Sequence, residues 1–258
     1  MSRIGRSCYS KDIGSQGESP MSALSKHSAS THSPTFFAST SSSFDVSTTK
    51  DRIGGVALAG QVLQFSQDCG IYDEGDPTRF FFKVVCGVVR TCKYRCDGRR
   101  QIDGFHEEGD VFGLESGATY ERSAEAVSDC TLIAYRWHGL ASAGADEDRA
   151  ALIVAMALKS LRRAGDHALL LGRATAAEKV ASFLVEIAAR RRSDGAIDLV
   201  MCRQDIADYL ALTIETVSRT MSQFERKGLI ALPSARHVVL RDFAGLAEQC
   251  GGLGPRLD

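Results

Sequence analysis

One stretch of this 258-residue chain, residues 201–228, constrains its fold more than any other. It reads MCRQDIADYLALTIETVSRTMSQFERKG, with apolar residues at helical spacing on both sides of a break at Ala211-Leu212-Thr213. This pattern predicts two short helices joined by a tight turn, with Thr213 as the N-cap of the second helix. The predicted buried positions are Ile206, Ala207 and Leu210 in the first helix and Val217, Met221 and Phe224 in the second.

The polar side chains that this arrangement leaves exposed have the chemistry of base readers. Arg219 can donate to guanine O6 and N7, Glu215 can accept from cytosine N4, and Ser218 can bond to either kind of base edge. Residues 229–240 form two short runs around Pro233-Ser234-Ala235-Arg236, which predicts a hairpin, or wing, directly after the second helix. A helix-turn-helix followed by a wing predicts a domain whose second helix enters the major groove of DNA.

The distribution of charge agrees with phosphate binding. The net charge of the chain is −1, yet arginines and lysines concentrate in its C-terminal third. Clustered basic residues are the electrostatic pattern expected of a surface that contacts the DNA backbone. The clustered residues are Arg173, Lys179, Arg190, Arg191, Arg192, Arg203, Arg219, Arg226, Lys227, Arg236 and Arg241.

Upstream of this region the composition of the chain changes twice. Residues 1–50 are rich in Ser and Thr and poor in aliphatic side chains, which predicts a disordered tail. Residues 51–142 contain short β-branched and aromatic runs, including one unbroken run at 80–93, and a strong hairpin signal at Asp97-Gly98. This pattern of short strands and turns predicts an antiparallel β-domain, in which residues 124–137 supply a further strand pair.

A long amphipathic helix is predicted between the β-domain and the C-terminal domain. The apolar residues of 146–172 recur at three- and four-residue spacing, and acidic residues precede them. A helix of this length with an apolar stripe predicts a dimer seam, so we expect a dimerisation helix at 143–172 and a DNA-binding domain at 173–258. The stripe consists of Leu152, Ile153, Met156, Leu161, Ala164, Ala168 and Leu171.

Three segments carry a resemblance to a known family: RQDIADYLALTIETVSR, DGRRQIDGFHEEGDVFGLE and AEKVASFLVEI. Through them, roughly residues 58–245 resemble the superfamily of the cyclic-AMP receptor protein and the fumarate-nitrate regulator, and most of all its FixK-like branch. The resemblance implies an α+β fold with an N-terminal antiparallel β-roll (cupin-like) sensor domain, a long dimerisation helix and a C-terminal winged helix-turn-helix.

The resemblance also implies roles for individual residues. Glu215, Ser218 and Arg219 match the family's base-reading Glu-x-x-Ser-Arg pattern, and Ile214 would lie against a thymine methyl group. Ala211 departs from the family, since relatives often have Gly there, and a left-handed Ala would carry roughly 1 kcal/mol of strain. The expected phosphate contacts are Arg203, Gln204, Thr213 and Thr216.

The implied target is double-stranded DNA carrying a TTGAT-type palindrome, bound by a homodimer. The resemblance further implies an activator that contacts RNA polymerase at genes for microaerobic or anaerobic respiration or nitrogen fixation. An N-terminus without signal-peptide character and the lack of a long apolar run predict a cytoplasmic protein without a membrane segment. The sequence contains no nucleophile elbow, P-loop, dinucleotide fingerprint or His-rich metal spacing, so we do not expect an enzyme.

The sensor domain shows only weak signs of a ligand. Glu115, Arg122 and Ser123 resemble a cyclic-nucleotide site, but the Glu is displaced by one position and the intervening loop is shorter. An iron–sulfur cluster normally requires four Cys ligands, whereas the N-terminal tail offers only Cys8. We therefore expect no cofactor. A cyclic-nucleotide-responsive regulator of the same fold and a nucleotide-binding signalling module remain as alternatives.

Cys202 is the candidate for redox control among the eight cysteines. It begins the first short helix, next to Arg203, and a helix N-terminus and a cationic neighbour both favour the reactive thiolate. Oxidation would place negative charge near DNA phosphates and weaken binding. An inert thiol is the alternative interpretation, because cytosolic cysteines are mostly free thiols.

Overall fold

The computed structural model describes residues 48–137, 147–173, 175–191 and 195–251. The predicted N-terminal tail lies almost wholly outside these residues, and so does the predicted boundary between residues 142 and 143. The first described range folds into two antiparallel sheets that face each other as a β-roll, with strand orders β1-β2-β9-β4-β7 and β3-β8-β5-β6. The strands are β1 (Thr48–Ile53), β2 (Val56–Phe65), β3 (Gly70–Tyr72), β4 (Phe80–Cys86), β5 (Val89–Tyr94), β6 (Arg100–His106), β7 (Val111–Phe112), β8 (Ser123–Ala126) and β9 (Cys130–Arg136).

Two strand predictions are wrong in detail, and both errors arise where the chain crosses between the sheets. The run at 80–93 is broken at Gly87, where φ is +89° and an added Cβ would lie 2.4 Å from the carbonyl oxygen of Asp129. The chain turns there, so β4 joins one sheet and β5 the other. The strands predicted as a pair at 124–137, β8 and β9, likewise belong to different sheets.

Two helices follow the roll, α1 (Glu147–Arg173) and α2 (Ala176–Arg191). The apolar stripe predicted for α1 divides between two faces. Leu152 is buried against the roll, and Ile153 and Met156 pack in the same cluster. The prediction that these three residues belong to a dimer seam is therefore wrong, because they cover the chain's own core. A separate face of α1 exposes Val154, Leu158, Leu161 and Leu169.

The C-terminal region is a winged helix-turn-helix, as the sequence predicts. Helix α3 (Arg203–Leu210) and helix α4 (Ile214–Arg226) pack together, and a hairpin of β11 (Ile230–Ala231) and β12 (His237–Leu240) follows. Strand β10 (Ala196–Asp198) completes a sheet of order β10-β12-β11, and α5 (Phe243–Glu248) ends the described chain. All six predicted inward-facing side chains of α3 and α4 are buried. No described helix is both long enough and apolar enough to cross a membrane.

Candidate nucleic-acid interface

The turn between α3 and α4 has the geometry of a helix-turn-helix. Ala211 lies in the left-handed region, with φ and ψ both 50°, and its N–H donates to the carbonyl oxygen of Ala207. A left-handed Ala costs roughly 1–2 kcal/mol, so the expected strain is present. Thr213 caps α4, since its hydroxyl accepts from the N–H of Thr216 at 3.2 Å. The predicted N-cap is confirmed.

Helix α4 presents the predicted base readers on one outer face. Val217 is fully buried against the domain core, whereas Glu215, Ser218 and Arg219 are exposed. Their i, i+3, i+4 spacing places these three side chains together on the first two turns of the helix. Ile214 begins the helix and is 37% exposed, so its aliphatic side chain is accessible at the same end. An apolar contact and three polar groups thus lie at the end of the helix that reaches base edges in such domains.

Glu215 is held in its charged form. A hydrogen bond from its own backbone N–H lowers the pKa of the carboxyl, with further contributions from the Thr213 side chain and from Arg219. The carboxylate therefore acts only as an acceptor at neutral pH. This state suits an acceptor for the amino group of cytosine.

The four expected phosphate contacts differ in exposure. Thr213 and Gln204 are exposed, while Thr216 is half-buried and its hydroxyl lies 3.1 Å from that of Thr213. Arg203 was expected to face outward, but its side chain is half-buried and burial lowers its pKa. One terminal nitrogen of its guanidinium is shielded from solvent and has no hydrogen-bond partner among the residues that the structure describes.

As a polar residue of α3, Asp208 would be expected to face solvent, but the structure places it against the β-roll. This half-buried carboxylate accepts from Arg100 of strand β6 at 2.9 Å. Asp205, one turn earlier, is also bonded by Arg90 and Arg100. The sequence pattern of α3 does not reveal these contacts, because their partners lie more than 100 residues away. Helix α3 therefore uses one face to contact the β-roll.

Part of the C-terminal basic cluster is also committed to contacts inside the protein. Arg191 pairs with Glu107 at 2.6 Å, and Arg190 pairs with Asp110 at 3.2 Å, both in the roll. Lys179 is only 8% exposed. These basic residues are thus not free to bind phosphate. Arg219, Arg226, Lys227, Arg236 and Arg241 remain exposed.

Cys202 lies at the N-terminus of α3 and is exposed. Its thiol donates to Oδ2 of Asp205 at 3.2 Å, and its backbone N–H donates to the same oxygen at 3.1 Å. The sulfur atom therefore has a carboxylate beside it, in addition to the cationic neighbour in sequence, Arg203. An oxidised, anionic Cys202 would repel Asp205 and break the cap of α3.

In the sensor domain, the residues that resemble a cyclic-nucleotide site bond to other protein groups. Nε of Arg122 lies 2.8 Å from Asp103, and Nη1 lies 3.8 Å from Glu115. The Ser123 hydroxyl accepts from the N–H of Glu74 at 2.9 Å. Burial raises the pKa of both Asp103 and Glu115, although Arg122 opposes the shift. A cyclic phosphate would meet an arginine that is already paired, with two acidic side chains beside it.

Aromatic side chains fill the neighbouring interior of the roll. The rings of Tyr72 and Tyr120 stack with their centroids 3.7 Å apart, and Phe82 and Phe112 stack against Tyr72. All four side chains are buried. Among the described residues, no group of three or more His, Cys, Asp or Glu side chains could hold a metal ion.

Comparisons with known proteins agree with this architecture. Residues 62–144 match the model of the cyclic nucleotide-binding domain, and residues 178–249 match the Crp-like helix-turn-helix domain. The nitrogen fixation regulation protein FixK of Azorhizobium caulinodans is 46% identical over 197 residues, which cover 74% of this chain and 79% of that protein. The transcriptional activator protein FnrL of Cereibacter sphaeroides is 37% identical over 186 residues, 69% of this chain and 75% of that protein.

A solved structure extends the likeness to three dimensions. The structure of FixK2 from Bradyrhizobium japonicum aligns with a TM-score of 0.71 and 42% identity, covering 77% of this chain and 99% of that one. The alignment therefore includes both the β-roll and the winged helix. With this fold, these domain matches and this degree of identity, the chain belongs to the FixK proteins within the family of Crp/Fnr transcription regulators.

Proposed function

We propose that this protein is a homodimeric transcription activator that reads a TTGAT-type palindrome and recruits RNA polymerase in the cytoplasm. The observation that carries the proposal is the exposed group of Glu215, Ser218 and Arg219 at the N-terminal end of α4. Its donors and acceptors can distinguish base edges in the major groove. The expected targets are genes of microaerobic or anaerobic respiration or of nitrogen fixation, because the FixK relatives are named for nitrogen fixation regulation.

The exposed face of α1 supports the homodimer. Val154, Leu158 and Leu161 are between 56% and 68% exposed, and their spacing of four and three residues is that of a heptad seam. Gly165 and Gly172 continue the same register, and apart from the adjoining helix backbone an added Cβ at either would meet no atom of the described residues within 4 Å. Small residues at seam positions let two helices approach closely. A symmetric pair of this kind matches the two-fold symmetry of a palindrome.

The proposed activity does not require a small-molecule effector. The Arg122 guanidinium is paired, and the neighbouring interior of the roll holds stacked aromatic rings. The DNA-binding domain is already packed against the roll in this state, through the Asp205 and Asp208 contacts. We therefore propose a regulator that is competent without cyclic nucleotide.

Transcription in vitro tests the proposed function. Purified protein and bacterial RNA polymerase should give transcript from a promoter carrying the palindrome, and none when the palindrome is scrambled. Added cyclic AMP should leave the yield unchanged, because Arg122, the side chain that resembles a phosphate ligand, is already paired with Asp103. Transcript that appears only with cyclic AMP would instead favour the nucleotide-responsive alternative. Equal yields from the intact and scrambled promoters would contradict the proposal.

Oxidation of Cys202 is proposed as the control point of DNA binding. Peroxide should weaken binding of the palindrome by the parent protein, because an oxidised sulfur repels Asp205 and the DNA phosphates. Cys202→Ser should keep most of its affinity after the same treatment, as measured by fluorescence anisotropy. Cys96→Ser is the matched control, since Cys96 is also exposed but lies in the roll. Equal loss of binding in the parent and in Cys202→Ser would disprove this control point.

A further inference from the structure

A charged contact joins the sensor domain to the first helix of the helix-turn-helix. Arg100, at the start of β6, binds both Asp205 and Asp208 of α3, with Nε 2.9 Å from Oδ2 of Asp208. Arg90 of β5 adds a bond to Asp205 at 3.3 Å, and the Gln101 amide donates to the carbonyl oxygen of Asp208 at 2.7 Å. We call these five residues the interdomain clamp.

The charged side chains of the clamp are largely shielded from solvent, and a further bond fixes the position of one of them. The exposed fractions of the Arg90, Arg100, Asp205 and Asp208 side chains are 10%, 16%, 4% and 14%. Glu125 of β8 holds Arg90 in place with a bond of 2.7 Å to its Nε. If one partner of such a shielded group is removed, the charges of the remaining side chains stay buried without an opposite charge beside them. The contact is therefore more than a surface ion pair, which would contribute little.

A second contact joins the C-terminal end of α3 to helix α1. His167 of α1 stacks on Tyr209 with ring centroids 4.2 Å apart, and its Nε2 lies 2.9 Å from the carbonyl oxygen of Tyr209. Phe105 of β6 packs against Tyr209 as well. Helix α3 is thus held by both the roll and α1, and α4 follows after a three-residue turn. The direction of α4, which we call the recognition helix, consequently depends on the position of α3.

We propose that Arg90 and Arg100 are positioning residues that set the direction of the recognition helix relative to the α1 seam. In a dimer, this direction fixes the distance and the rotation between the two recognition helices. A palindrome whose half-sites lie one helical turn apart is bound well only when that geometry matches. The clamp therefore determines how strictly the protein selects half-site spacing, although neither arginine touches a base. This inference rests on the proposed palindrome binding.

The test measures spacing selectivity. Fluorescence anisotropy gives the affinity of the parent and of Arg100→Ala for the palindrome and for probes with one base pair inserted or removed at its centre. The parent should strongly prefer the native spacing. In Arg100→Ala the preference should fall by about 3- to 30-fold, the range of couplings carried by charged or packed networks. Arg100→Lys should restore part of it, because the charge remains while the two-pronged geometry is lost.

Two controls separate positioning from other roles. Arg99→Ala changes the neighbouring residue, which pairs with Asp97 in its own hairpin turn, and should keep the parent's preference. The salt dependence of affinity should be the same in Arg100→Ala as in the parent, because no phosphate contact is lost. If the slope of log affinity against log salt concentration were smaller by about one in Arg100→Ala, Arg100 would be a phosphate contact, and the inference would be overturned.

Stability must be measured alongside binding. If Arg100→Ala does not fold, Gln101→Ala removes only the neutral amide bonds to the carbonyl oxygens of Asp208 and Tyr209 in α3, together with one to Ile102, and should still lower the spacing preference measurably. An unchanged preference in a folded clamp variant, or a parent that tolerates the inserted base pair, overturns the inference while leaving the proposed function intact. A parent that does not bind the palindrome at all refutes the proposed function itself.

Discussion

Arg219→Ala is expected to weaken binding of the palindrome by about 10- to 100-fold, since one bidentate contact to guanine contributes about 1–3 kcal/mol. Arg219 is exposed on the second turn of α4, and its removal leaves the buried contacts of that helix unchanged. The variant should also lose sequence discrimination. The parent should bind poorly to a probe in which the guanine of each half-site is replaced. Arg219→Ala should bind that probe and the intact palindrome with equal affinity. Anisotropy titrations at one fixed salt concentration measure all four affinities.

The matched control lies at the other end of the same helix. Arg226 is exposed in the last turn of α4 and has the same side chain, but it is far from the end that reaches base edges. Arg226→Ala should change affinity only modestly and by the same factor for both probes. If Arg219→Ala still discriminates the two probes as the parent does, the assignment of Arg219 as a base reader is wrong.

The helix-turn-helix could be predicted from sequence because its signals are local. Helical spacing identified the buried faces of α3 and α4. Thr213 was predicted as the N-cap of α4, and the helix begins at the next residue, Ile214. A left-handed backbone at Ala211 was raised as a condition by the Gly that relatives often have there, and the structure has it, with φ at 50°. Each of these features depends on residues within one or two turns of each other, so the sequence pattern contains the necessary information.

Features that depend on distant partners could not be predicted in the same way. The spacing of α1 predicted a helix, but apolar residues lie on two of its faces, and the pattern alone does not say which face meets the chain's own roll. At Gly87 the backbone comes close to Asp129, so the turn there depends on a contact between two loops that are distant in sequence. The interdomain clamp was missed for the same reason, since Asp208 reads as a solvated residue of α3 until strand β6 is placed beside it.

The exposed face of α1 allows a direct test of the proposed dimer, on which the proposed binding of a palindrome depends. Leu161, at 68% exposed, is the most exposed large hydrophobic side chain of the described residues, and Val154 and Leu158 extend the same face. Because it packs little against its own chain, a change at Leu161 should affect association far more than folding. Its neighbour Ser160 is also exposed but lies about 100° away around the helix, outside the heptad seam.

Leu161→Glu should convert the dimer into a monomer, because two carboxylates would face each other across a seam that excludes water. Affinity for the palindrome should then fall by about 10²- to 10⁴-fold, since the second half-site is no longer bound at a high effective concentration. Affinity for an isolated half-site should stay unchanged. Sedimentation velocity and anisotropy measure both effects, with Ser160→Glu as the control that adds the same charge away from the seam. A Leu161→Glu protein that sediments as a dimer and keeps parental affinity would show that this face of α1 does not form the dimer.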